Sequence, residues 1–344
     1  MIKKDQSIFF IQIICSLLIV NYHSSILNIP YLESIARGGF VLNTIFVFLS
    51  GYLLSVSFSK SKQNNFLSFM KKRIQRIYPA FFLVLIITLI YSLVTSKEVI
   101  LVNYLKWFSG FGYFFSNNEI FSDNHLWFVS VILVCYILFI PSYKLMEKWP
   151  LFFLAFIGST ILLYNYFWSE DAYLIYNNIS GDVILRFLYH YFIFILAIFR
   201  QQRNKSFKNF TYRHVIIFVS CFIGYAYLKG NGTYNIIALL LVIPTALSLI
   251  PIFYKLSTQV QNKIPGIFKL SSIPYELYLI HFLVINALDE YLHGNILSYP
   301  LTFIFSILLA FLISKLSSKT IELLTTKNKV PFVQTVNIEG DTIK

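Results

Sequence analysis

His23 stands near the far end of a long apolar run, Ile8 to Ile29, and its side chain is one that can take up and release a proton near neutral pH. Gln12, Ser16 and His23 follow one another at intervals of four and seven residues, which at about 100° per residue puts all three on one helical face. The rest of the run is almost purely Ile, Leu, Phe and Val. A polar stripe ending in an ionisable group is costly against lipid, so it must face other protein or a water-filled cavity. It is either a helix–helix hydrogen-bond seam or the seat of a proton-transfer group, His23.

A second group is cationic. In Lys71-Lys72-Arg73-Ile74-Gln75-Arg76-Ile77-Tyr78-Pro79 the two arginines are three apart, so a helix projects both planar forks from one face, which suits phosphates. Such a cluster beside an apolar run also suits anionic lipid headgroups. A third group lies in Ser271 to His281, where Pro274 fits a helix's first turn and Glu276 falls about one turn inside. An unpaired carboxylate there is expensive, so Glu276 is expected to pair with Arg73 or Arg76. Tyr278 and His281, three apart, share a face. A fourth stretch, Asp123-Asn124-His125-Leu126-Trp127-Phe128, heads another apolar run and should hold His125 at the outer boundary, within reach of water. In a fifth, Ile45 to Leu54, Ser50 lies midway between Asn43 and Ser57 on one face, and Gly51 lets a second backbone come close. Ser50-Gly51 is either simple packing or part of a site.

Membrane helices must position these groups. Of 344 residues, 57% are hydrophobic and 12% charged, with mean hydropathy +0.68, where soluble domains are about 25% charged. Ten apolar runs qualify as spans: 8–29, 39–58, 79–95, 126–141, 151–168, 184–200, 214–229, 236–253, 273–289 and 299–316, of which 126–141 is near the lower length limit. The two ends and alternate connections hold 23 of the 28 basic residues, leaving Arg37, Lys97, Lys106, Arg186 and Lys229 elsewhere. By the positive-inside rule both termini and the Lys60–Arg76 connection are cytoplasmic, and Ser96 to His125 faces outward. The net charge of +13 then reflects topology rather than a nucleic-acid surface. Trp127, Trp149 and Trp168 fall at span ends, and Trp107 marks an interfacial segment in the long outer loop, which is expected to fold over the mouth of the bundle. Cys15, Cys135 and Cys221 lie inside apolar runs with no disulfide or metal spacing, so they read as core residues and no metal is expected. The expected architecture is an all-α polytopic membrane protein of about ten transmembrane helices, with a membrane domain over 1–326 and a short polar tail, 327–344, expected to be disordered.

Together these stretches resemble the acyltransferase-3 family of integral membrane O-acyltransferases. The resemblance rests on His23, the Phe-x-x-x-Ser-Gly-Tyr core within Phe46 to Leu54, Arg73 to Pro79, His125 to Phe128, Ser272 to His281 and Ile321-Glu322, in order from Lys4 to about Glu322. It implies transfer of an acyl group, usually acetyl, from cytoplasmic acetyl-CoA to a hydroxyl of a cell-surface glycan such as O-antigen, capsule or exopolysaccharide. The setting implied is a bacterial cytoplasmic (inner) membrane. His23 is implied as the catalytic residue, with Arg73 and Arg76 binding the donor. Gln12 stands where relatives commonly carry Arg, keeping a hydrogen-bonding side chain without its charge, and Thr44 stands where they often carry Asp.

On that reading Arg73 and Arg76 hold the coenzyme A phosphates while the pantetheine arm threads between helices. His23 lies fifteen residues beyond Ile8, roughly 22 Å of helix rise, so the thioester can meet it without the donor crossing. His23 would take the proton of the incoming hydroxyl, with Asn21, Ser50 or Tyr278 as an oxyanion donor. Glu276, Tyr78, His125, Trp127 and His281 would support the site or face the substrate. A proton-coupled transporter or polysaccharide exporter would also carry an intramembrane His and Glu. That class is marked by Gly/Pro-interrupted spans in matching halves, a pattern the sequence lacks. A silent scaffold for a glycan-assembly complex is the third class, kept open by Gln12.

Overall fold

The structure, a computed structural model, describes residues 6–24, 38–60, 65–97, 99–115, 125–175, 179–203, 209–230, 236–263, 270, 272–292 and 295–326. Among these every regular element is a helix: α1 (Gln6–His23), α2 (Gly39–Lys60), α3 (Phe66–Val94), α4 (Leu101–Phe108), α5 (Gly112–Phe115), α6 (Trp127–Ile137), α7 (Phe139–Lys148), α8 (Pro150–Ile175), α9 (Ile179–Gln202), α10 (Tyr212–Gly230), α11 (Ile236–Lys263), α12 (Pro274–Leu292) and α13 (Ser298–Thr326). A helix satisfies its own backbone groups, which lipid cannot do for it. Six of them, α2, α3, α8, α9, α11 and α13, are long and apolar enough to cross a membrane, and the bent pair α6–α7 makes a seventh if counted as one span. α1 and α10 are shorter apolar helices. The chain is an all-α membrane protein. Each of the ten apolar runs falls on a helix, while residues 25–29 of the first run and the tail 327–344 lie outside the described residues.

Two boundaries differ from expectation. α3 begins at Phe66, well before the run at 79–95, because Asn65 Oδ1 accepts from Leu67 N at 2.9 Å and Pro79 is carried inside the helix. Arg73 and Arg76 therefore sit on regular helix. The run at 126–141 breaks at Leu138, where α6 and α7 meet at 55°. Pro141 supplies no N–H to Ile137 O and its ring crowds that carbonyl. Beyond the break α7 is amphipathic, burying Phe139, Ile140, Ser142 and Met146 and exposing Lys144, Leu145 and Lys148.

The centre is built from α1, α2, α9 and α12. α1 and α12 run parallel in register: Ser16 Oγ lies 2.8 Å from Pro274 O, and two turns farther along both helices the His23 and His281 rings are 5.2 Å apart. Gly51 faces α9 so closely that a Cβ there would come within 2.7 Å of Phe194 O, the close approach its position in the sequence implies. Tyr275 OH donates to Ile77 O at 3.2 Å, tying the start of α12 to α3. Phe69 stacks on Phe139 at 5.2 Å, and Gln202 Nε2 donates to Tyr143 O at 3.0 Å. These contacts gather Arg73, Arg76, Lys144, Lys148 and Arg200 at one end of the bundle, the basic end.

Part of the loop expected over the mouth enters the bundle instead. Ser92 and Tyr104 hydroxyls meet at 3.1 Å, Phe82 stacks on Phe108 at 5.3 Å, and Tyr78 OH donates to Ser109 O at 2.6 Å. Each contact lies farther back along α3 than the last, so α4 descends beside α3. The chain turns at Gly110 (φ +83°) and leads into α5. Tyr78 is about 18 Å of rise from the first residue of α3, near its middle. Trp107 is thus buried rather than interfacial, 1% exposed and packed on Gly112. The pattern of α4 explains the descent: Asn103, Tyr104 and Trp107 are buried while Leu101, Val102 and Leu105 form an exposed apolar face fit for lipid.

Candidate active site

Three histidines from distant stretches meet. His23 ends α1, His125 lies two residues before α6, and His281 is on α12. The His281 ring is 5.2 Å from that of His23 and 5.0 Å from that of His125, and Phe282 packs against both partners, at 5.4 and 5.0 Å. His281 is 0% exposed, His125 6%, and His23 half-buried. His125 is therefore not a water-satisfied boundary residue. Its Nε2 donates to Leu279 O at 2.9 Å, and Tyr278 OH donates to His125 O at 2.5 Å, so α12 holds it through ring and backbone alike.

A carbonyl oxygen only accepts, so a ring nitrogen bonded to one must carry the proton. His281 Nδ1 faces Tyr278 O at 2.7 Å and Leu277 O at 3.3 Å. The consequence lies at the other nitrogen: Nε2 of the neutral ring is a bare acceptor, buried with no partner among the described residues. The same reasoning makes Nδ1 the acceptor of His125. Among the described residues no group of three or more His, Cys, Asp or Glu is arranged to hold a metal ion; the rings pack on one another.

The other expected residues divide by depth. Gln12 is half-buried on α1 below Ser16, whose hydroxyl is 3.1 Å from Gln12 O. Phe46 reaches the cluster through Tyr278, with ring centroids 6.4 Å apart, whereas Ser50, a turn farther on, bonds the Tyr136 phenol. Tyr78 supports the turn at Ser109–Gly110 and is not brought to the histidines. At the basic end Arg73 is half-buried over the Phe69 ring, 5.7 Å from its centroid, and Arg76 is exposed. The ion pair expected for Glu276 is not formed. Glu276 is 3% exposed, and among the described residues its Oε2 has no partner and no arginine forms an ion pair with it. Arg76 acts on it through its field without a hydrogen-bonded ion pair, while the Tyr275–Ile77 tie fixes α12 beside α3.

One pair escaped the sequence reading. The Arg186 guanidinium lies over Trp127 at 5.0 Å and Tyr113 at 5.9 Å. His190 Nδ1 donates to Arg186 O at 2.7 Å, its ring is 5.1 Å from Trp127, and its buried Nε2 has no partner among the described residues. Trp127, two residues after His125 in the chain, thus packs against both members of this pair. The available signal was two ionisable residues four apart within one apolar run, where Arg186 counted only as a basic residue near a span end.

A family model described as an acyltransferase domain matches residues 5–315, from the start of α1 into α13. No curated protein and no solved structure matches the chain.

Proposed function

The chain belongs to the acyltransferase-3 family, and from that premise we propose that it moves acetyl from acetyl-CoA to a hydroxyl of a cell-surface glycan. The observation that carries the reading is His23, a half-buried imidazole among apolar helices and against a second, fully buried histidine. Tyr275 is level with Ile77, so about 15 Å of helix rise separates Arg73 from the histidines. An extended pantetheine arm covers that length. Arg73 and Arg76 hold the donor phosphates at the basic end, and Gln12 lends a hydrogen-bonding side chain along the path.

His23 removes the proton of the glycan hydroxyl as its oxygen attacks the thioester carbonyl. The C–S bond then breaks, and the leaving sulfur receives the proton from His23. Two phenols stand at the cluster: Tyr278, its ring 5.8 Å from His281 and 5.7 Å from His125 and its hydroxyl given to His125 O, and Tyr22, its ring 4.9 Å from His23. Asn21 lies about 200° round α1 from His23 and accepts from Tyr299 OH at 2.6 Å, so it belongs to another face. The gathering of positive side chains at one end supports ten spans with both termini cytoplasmic in a bacterial inner membrane, the glycan entering from the opposite side.

The buried Glu276, with one oxygen unpartnered, favours a second reading, a proton-coupled transporter or glycan exporter. Mass spectrometry of surface glycan from cells with and without the protein separates the two. An acetyl-sized mass difference is expected; loss of the glycan as a whole selects the exporter, and an unchanged glycan overturns both.

A further inference from the structure

Where α7 meets α8 the surface carries an apolar groove of about 300 Å³. Leu145 of α7, Trp149 at the joint, and Phe152, Phe153 and Phe156 of α8 line it, with no charged side chain among them. The 55° bend at Leu138 takes α7 out of line with α6 and brings Leu145 to the wall of this groove. Trp149, Phe152, Phe153 and Phe156 follow the spacing of one helical face, so the groove runs along α8 for about 10 Å of rise. Its wall is well supported. Phe153 packs on Tyr191 of α9 at 6.5 Å, while Phe152 stacks on Phe156 at 6.5 Å and meets Trp149 at 6.1 Å. Trp149, Phe152 and Phe156 are nevertheless 52%, 66% and 55% exposed, so the protein itself leaves the groove uncovered.

The head of the groove is charged. Lys144 and Lys148 are exposed and four apart on one face of α7, and Lys148 Nζ lies over the Trp149 ring, 5.6 Å from its centroid. Glu147 is exposed too, but it lies about 160° round α7 from Leu145, on the side away from the groove. The first turn of α8 opens at the same end, where N–H groups with no earlier turn to bond favour an anion. A tryptophan beside lysines also marks the level of the lipid headgroups. From there the aromatic stripe covers most of the roughly 15 Å that one leaflet of a 30 Å hydrocarbon core provides. A soluble ligand would find nothing polar in the groove to bind, whereas a lipid with a negative head suits both parts at once. We propose that the groove seats one acyl chain of an anionic phospholipid whose phosphate is held by Lys144 and Lys148 at the start of α8.

Purified full-length protein is placed in nanodiscs of phosphatidylcholine that contain either phosphatidylglycerol or phosphatidylcholine brominated on its acyl chains. Bromine quenches an indole that it touches, and the quenching lost in Trp149→Phe is the share that belongs to Trp149. That share is expected to reach half its maximum at about tenfold less brominated phosphatidylglycerol than brominated phosphatidylcholine. Lys144→Met with Lys148→Met should cut the preference to about twofold while both lipids still quench Trp149. Lys255→Met, which removes a lysine of α11, should leave the preference as it is. Equal quenching by the two lipids overturns the proposal, because any chain then fills the groove. A preference lowered as far by Lys255→Met as by the α7 pair also overturns it, assigning the effect to general attraction between the basic end and the leaflet. Absence of Trp149 quenching by either lipid overturns it in favour of a protein cover, such as a second copy of the chain.

Discussion

His23 and His281 touch, yet their hydrogen bonds divide the work between them. His281 gives its Nδ1 proton to a backbone carbonyl and keeps a bare Nε2, whereas His23 ends its helix half-buried. His23→Ala is expected to lower turnover by about 10²–10⁴-fold with acetyl-CoA binding retained. His281→Leu removes the acceptor and His281→Gln restores one. The Leu variant should lose about tenfold in kcat and the Gln variant should recover part of it, with KM for glycan little changed. If both variants turn over as fast as the natural protein, His281 is a packing residue only. Arg73→Lys and Arg76→Lys keep the charge that attracts lipid and lose the planar fork. Acetyl-CoA affinity should fall about tenfold in each while membrane insertion stays normal. Unchanged affinity would return the arginines to the lipid headgroups.

Gly110 is where the descent of α4 turns back. Its φ of +83° disfavours any side chain, and a Cβ there would come within 2.5 Å of Tyr78 Oη and 2.7 Å of Leu133 Cδ1. Gly110→Ala is expected to destabilise by about 1–3 kcal/mol, and Tyr78→Phe by about 1 kcal/mol through the lost bond to Ser109 O. The double variant should be more stable than the two losses added together, because removing the hydroxyl relieves the clash. Thermal melting in nanodiscs measures all three, and strictly additive losses would show that the hydroxyl is not what the new methyl meets. The existence of the helices was legible because lipid demands long apolar runs and the chain supplies them. Pro141 was also visible, but a span near the length limit hid the break that it causes. The entry of residues 101–115 was not legible, since Trp107 reads equally as an interfacial anchor or a buried ring until α3 is beside it. The pairing of His125 with α12 and the lone Glu276 depend on contacts between segments some 150 to 200 residues apart, as the Leu279 and Ile77 bonds show. Local spacing cannot encode those.

At the scale of the molecule the sequence predicts a sidedness that a labelling experiment reads directly. Cysteines introduced at Asn118 and Asn64, both outside the described residues, should differ in intact cells: an impermeant thiol reagent marks the first and spares the second. The reverse pattern would invert the bundle and move the donor site to the outer face.

Ser16–Pro274 and His23–His281 each join positions 258 residues apart. At about 5–20 residues per second, a ribosome needs on the order of ten to fifty seconds to make that stretch. Throughout that interval α1 waits in the bilayer with its polar stripe unmatched, and the histidine cluster does not exist. A chain truncated anywhere before α12 is therefore expected to be inert, however well its earlier helices insert. On the proposed reading, acetyl-CoA in the growing cell would be safe from half-made copies of the chain, because the order of synthesis delivers His23 first and its neighbour His281 nearly last.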